Sequence, residues 1–149
     1  MKTFKTVMAV LCALIAMLFI NGAPSLADAN LSSAPDSAKA YFISPSNNSK
    51  VKQSFDVKFG LAGMGVAPAG VDINNTGHHH LLIDVDNLPD FDQPLPKTDQ
   101  IKHFGGGQTE TKLELDPGKH TLQLLLGNYQ HIPHDHPVLS EKVTVIVSQ

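Results

Sequence analysis

The chain has 149 residues and a formal net charge of −3 at pH 7, with 11 basic residues, 14 acidic residues, eight histidines, one cysteine and no tryptophan. One domain is the natural prior for this length. Every basic residue is lysine, and a weakly acidic chain without arginine is poorly suited to phosphate or nucleic acid, so no nucleic-acid partner is expected.

The chain opens with Lys2 and Lys5, then a nearly unbroken apolar run from Val7 to Ile20, then Asn21, Gly22 and Pro24, with Ser25-Leu26-Ala27 supplying small residues at a cleavage site. That order of parts is a secretory signal over residues 1–27. The run is too short to span ~30 Å of hydrocarbon comfortably, so no stable membrane anchor is expected after cleavage. Cys12 lies inside it. The mature chain therefore has no thiol for a disulfide, a zinc–cysteine site or a nucleophile.

Residues 28–40 are rich in Ala, Ser, Asp and Asn and read as a flexible lead-in to a β domain over 41–149. Tyr41-Phe42-Ile43 is a short strand stopped by Ser44-Pro45, and Ser46 to Ser49 is a turn cluster. Phe55, Val57 and Phe59 alternate with Asp56 and Lys58, the period of a strand with one buried face. Gly60 to Gly77 is a long loop. From His79 to Val85 a strand turns Leu81, Ile83 and Val85 one way and His80, Leu82 and Asp84 the other. Asn87 to Gln100 is proline- and aspartate-rich and irregular. Gly105-Gly106-Gly107 opens a strand at Thr109 to Leu115; it lacks the Lys-Ser/Thr of a phosphate loop and reads as a hinge permitting close backbone approach. Asp116-Pro117-Gly118 is a turn. His120 to Leu126 is the most apolar strand, a His- and Pro-rich loop runs from Tyr129 to Pro137, and Val138 to Val147 closes the domain. After residue 40 no segment carries a helical period. The pattern predicts an all-β, immunoglobulin-like antiparallel β-sandwich of about seven strands.

The histidines are clumped at 78–80, at 103 and at 131, 134 and 136, with His120 apart. In an immunoglobulin-like order, strand 120–126 pairs with the His79 strand. The starts of strands 79–85 and 109–115 and the end of 120–126 then share one rim, which gathers seven of the eight histidines, while His120 falls about 20 Å away by strand rise. Neutral imidazole is the commonest ligand for Cu(II), Zn(II) and Ni(II). The candidate ligands are His79, His80, His103, His131 and His134, with His78, Asp84 and Asp135 as secondary candidates that ligate or orient a ring. Alternate strand residues diverge, so either His78 with His80, or His79 alone, serves one centre. A hydrogen-bonded histidine network and a pH-responsive surface are the competing readings; His120 reads as structural.

The stretches Tyr41 to Pro45, Pro68-Ala69-Gly70, Thr76 to Asp84 with its Gly-His-His-His-Leu-Leu-Ile-Asp signature, His103-Phe104-Gly105, Gly107 to Glu110, Pro117 to Leu124 and His131 to Asp135 resemble an uncharacterised family of small exported bacterial domains. The resemblance covers about residues 41–147. It implies a bacterial periplasmic or secreted setting and no established activity. His136 departs from the family pattern, in which a proline pair stands there, and gains no ligand role from it. The sequence thus predicts a periplasmic module that binds or delivers a divalent transition metal. The alternatives are a metal-independent partner of an envelope protein and, with less support, a metal-dependent hydrolase.

Overall fold

The computed structural model describes residues 31–149; the signal sequence expected over 1–27 lies outside them. Among the described residues nine strands form, in chain order: β1 (Lys39–Ser44), β2 (Ser49–Lys52), β3 (Ser54–Ala62), β4 (Gly65–Val66), β5 (Thr76–Ile83), β6 (Ile101–His103), β7 (Glu110–Glu114), β8 (Gly118–Gly127) and β9 (Val143–Ser148). They make two sheets, one of order β1-β3-β7 and one of order β2-β9-β8-β5-β4, with β6 also paired to β5. The fold is the all-β sandwich that the alternation predicts.

Its core lies between the sheets. Phe55, Val57 and Phe59 of β3 and Leu113 of β7 meet Leu81 and Ile83 of β5, Leu122, Leu124 and Leu126 of β8, and Val143, Val145 and Val147 of β9. The same strands turn Asp56, Lys58 and Lys112 outward, where Lys112 and Asp56 pair across the sheet at 3.2 Å. Each fully buried leucine contributes roughly 1.5–3 kcal/mol, which explains how the domain holds without disulfides.

β5 is buried on both faces, and that positions the site. Residues Gly77 to Ile83 are all buried. One face looks into the sandwich. The other is covered by the loops before β6 and after β8, where Leu82, Leu95, Ile101 and Leu125 form a second apolar cluster. The irregular segment 87–100 is thus a lid over the outer face of β5, anchored by Leu95.

Several details differ from the sequence reading. β2 pairs parallel with β9, and β4 pairs parallel with the first residues of β5. The turn at 115–117 is no hairpin, because β7 and β8 belong to different sheets. The last strand begins at Val143 instead of Val138. Over 138–142 the chain is held by Ser140, whose N–H donates to the Leu124 carbonyl and whose Oγ accepts from Leu124 N–H, both at 2.9 Å. This use of the side chain interrupts regular pairing there. Within the expected lead-in, the described residues Ser32 and Ala34 lie against the domain: Ala34 N–H donates to Asp135 Oδ1 at 3.0 Å, and Asp135 N–H donates to the Ser32 carbonyl at 3.0 Å.

Candidate metal centre

Strand periodicity sends His78 and His80 to the same face of β5, away from the sandwich interior. Their rings lie 4.9 Å apart, centroid to centroid. β6 runs antiparallel to β5 with His103 opposite His80, and the His103 ring stands 5.1 Å from that of His80 and 5.0 Å from that of His78. A fourth ring arrives from the loop after β8. His131 lies 4.6 Å from His103, 5.0 Å from His78 and 6.1 Å from His80. Its backbone is in the left-handed region, φ 69°. Its N–H donates to the Asn128 carbonyl at 2.9 Å, and its carbonyl accepts from Leu95 N–H at 2.9 Å. These bonds fix the loop and couple it to the lid.

Two glycines make the cluster sterically feasible. A Cβ on Gly105 would run into the His103 ring. A Cβ on Gly127 would stand 2.8 Å from Cε1 and 3.2 Å from Nδ1 of His80. Gly127 lies opposite His78 on β8. The glycine that ends the apolar strand and the first of the triple glycine therefore leave space for two of the imidazoles.

His78, His80 and His103 each offer a ring nitrogen within 4.8 Å of the others. Tetrahedral ligation at Zn–N distances of ~2.0–2.1 Å sets nitrogens roughly 3.4 Å apart, so modest ring rotations close these three on one ion. Both ring nitrogens of His78, both of His80 and Nε2 of His103 are buried without a hydrogen-bond partner among the described residues. Leaving a buried polar group unpaired costs about 1–3 kcal/mol each. A histidine hydrogen-bond network would have satisfied these atoms; a metal ion takes up one lone pair per ring.

Electrostatics keep the rings in the ligating form. Burial, then the neighbouring His131, His103, His79 and His134, lowers the His78 pKa to about 4. Burial, then His78, His103 and His131, lowers that of His80 to about 3, opposed by the His78 backbone, which lies near the ring but makes no hydrogen bond of good geometry with it. His103 is lowered by burial, then by His131 and Lys97. Imidazoles lowered in this way are neutral at pH 7, with a lone pair free to ligate.

The remaining histidines are placed elsewhere. His79 points into the sandwich, 5.3 Å from the Phe59 ring, and burial lowers its pKa to about 4. Because it alternates with His78 and His80, it cannot share their centre. His134 is buried beside the start of β5, its Nε2 3.2 Å from the Thr76 carbonyl oxygen, and it makes no ring contact with the other four. His136 is exposed and pairs with Asp135 at 3.3 Å. Asp135 also accepts from the N–H groups of Ala34 and His136, which hold its carboxyl below the usual range. Asp84, at the far end of β5, accepts from Thr121 N–H at 2.7 Å and binds His120 Nδ1 at 2.6 Å. It orients His120 and none of the clustered rings.

The cluster opens to solvent through a cleft of about 230 Å³ lined by His80, His103, His131, Pro94, Leu95, Pro96 and Lys97. Nothing in the periodicity of 87–100 marks these lid residues as part of a site. Only the fold brings them there.

The geometry can be set beside known proteins. No curated protein matches the chain. Among solved structures, an endo-beta-1,4-mannanase from Thermotoga petrophila is similar over 75% of this chain at 17% identity and a TM-score of 0.43. The chain spans only 20% of that protein's length, and a likeness this distant carries no inference about activity. The model of a family described as a domain of unknown function, DUF4399, matches residues 57–148, a span that holds β5, β6, both glycines and all four clustered histidines. The chain belongs to the DUF4399 family.

Proposed function

We propose that this protein binds a divalent transition metal, Cu(II), Zn(II) or Ni(II), through His78, His80 and His103, with the His131 ring beside them and the fourth position open, and serves in the bacterial periplasm as a metal-binding or delivery module. One observation carries the reading: His78, His80 and His103, drawn from two strands, each bring a ring nitrogen within 4.8 Å of the others, and, unlike the equally unpartnered ring of His79, these buried rings share one point. The low pKa values of His78 and His80 add support, since they keep both rings neutral. An all-imidazole set without thiolate or thioether suits Cu(II), Zn(II) and Ni(II) better than Cu(I). The periplasmic setting rests on the export signal read at residues 1–27.

Calorimetric titration of the untagged domain with each metal tests the proposal. A 1:1 complex with Kd of about 1 μM or tighter is expected, close to −8 kcal/mol. Binding no tighter than millimolar for all three metals, the strength of casual surface histidine pairs, overturns it.

A further inference from the structure

A metal in this site has no counter-charge from the chain. The four clustered rings contribute no negative charge. The two carboxylates expected near them are engaged elsewhere, Asp84 with His120 and Thr121, Asp135 with Ala34 and His136. Asp90, Asp92 and Asp99 of the lid do not line the cleft; Lys97, a further cation, does, and its field reaches His103. Among the described residues no carboxylate is in ion-pair reach of Lys97. A divalent ion held by neutral imidazoles alone, with the exposed and solvated Lys97 at the mouth of the cleft, leaves the site net positive, and an anion entering the cleft offsets that charge.

From this, and resting on the metal reading above, we infer that the cleft admits a small carboxylate that ligates the metal at its open position while its charge is met by Lys97. The lid backbone two residues before the lysine is anchored: Leu95 is buried in the outer cluster and its N–H donates to the His131 carbonyl at 2.9 Å. The lip is thus tied to the His131 loop. Pro94, Leu95 and Pro96 give the cleft an apolar wall and leave a single positive charge at its mouth. One lysine and an apolar wall match a monocarboxylate with a short hydrocarbon tail better than a doubly charged, strongly hydrated oxyanion such as sulfate. The volume of about 230 Å³ equals the share of roughly eight waters, enough for an acid of a few carbons. The module would then carry its metal as a mixed complex, with the small acid as the ligand exchanged on delivery.

The test uses the full chain loaded with Cu(II), the metal that binds imidazole sites most tightly. Acetate, propionate and sulfate are titrated in while the visible copper absorption and the electron spin resonance spectrum are recorded. Acetate and propionate are expected to shift both spectra saturably with millimolar or tighter affinity, and sulfate at least tenfold more weakly. Lys97→Met should weaken the carboxylates at least tenfold and leave copper affinity within threefold of the parent. If copper binds but carboxylates leave the spectra unchanged, or if Lys97→Met binds them as well as the parent does, the inference falls and the metal site stands. If copper itself is not taken up, both fall.

Discussion

His80 and His103 are Cα partners across the β5–β6 pair, and their rings lie 5.1 Å apart with 34° between their planes. Neighbouring β strands normally use such a cross-strand position for packing. Here it holds two imidazoles whose inner nitrogens have no partner. A sandwich gains nothing in stability from that arrangement without a ligand, and the first prediction follows from this.

Replacing His80 by leucine, of similar volume, removes two unpaired buried nitrogens. Exchange of an unsatisfied polar group for an apolar one of like shape is near neutral or stabilising. The metal-free His80→Leu chain should unfold at the same or higher denaturant concentration than the parent, while metal affinity falls at least 100-fold. His79→Leu is the contrast. That ring faces Phe59 on the other side of the sheet, so metal affinity should stay within threefold. Paired calorimetry and urea denaturation check both. A His80→Leu chain that keeps its affinity, or a His79→Leu chain that loses it, would place the ligands on the wrong face of β5.

The space left by Gly127 should be functional. Alanine there sets a methyl 2.8 Å from Cε1 of His80 and 3.3 Å from the carbonyl carbon of His131. Overpacking of this kind costs about 1–3 kcal/mol. Because the displaced group is a candidate ligand, Gly127→Ala should also weaken metal binding by about tenfold or more. Spectroscopic titration of a folded Gly127→Ala sample measures this, and unchanged affinity at reduced stability would reduce the glycine to a packing role.

The pH dependence of the metal-free domain has two components of opposite sign. His78, His79 and His80 have folded pKa values of about 4, 4 and 3 against 6.5 when unfolded. Above pH 6.5 both states are neutral at these sites. Between 6.5 and about 3 the unfolded chain takes up protons that the folded chain refuses, so stability falls as pH falls. For His120, burial lowers the pKa, but the hydrogen bonds to Asp84 and the Asp116 carbonyl and the two aspartate charges raise it overall. Its contribution is therefore complete below 6.5 and lost as pH rises through the raised value. Denaturation at pH 7.5, 6 and 5 should show net acid destabilisation. His120→Gln should steepen that decline, and a parent chain most stable at pH 5 would contradict the neutral burial of the three rings.

Much of this was legible in the sequence. Period-two alternation at Phe55, Val57 and Phe59 and at Leu81 and Ile83 gave the sandwich and its inner face. The same parity required His78 and His80 to part from His79, as the structure has them. Short polar strands escaped notice: β2 and β6 are four and three residues long and carry lysines among few apolar side chains. The partner of Asp84 escaped as well, because a residue ending one strand meets a histidine near the start of another only once the register of β5 and β8 is known. Lys97 and the prolines beside it sit in a segment without periodicity, and their approach to the rings is decided by the burial of Leu95.

X-ray absorption of the full chain carrying one equivalent of Zn(II) or Cu(II) addresses the central claim most directly. The account predicts three or four nitrogen neighbours at about 2.0–2.1 Å, with the outer-ring scattering of imidazole, reduced by one imidazole in the chain bearing His103→Ala. A spectrum of oxygen neighbours alone, or one that His103→Ala leaves unaltered, would contradict it.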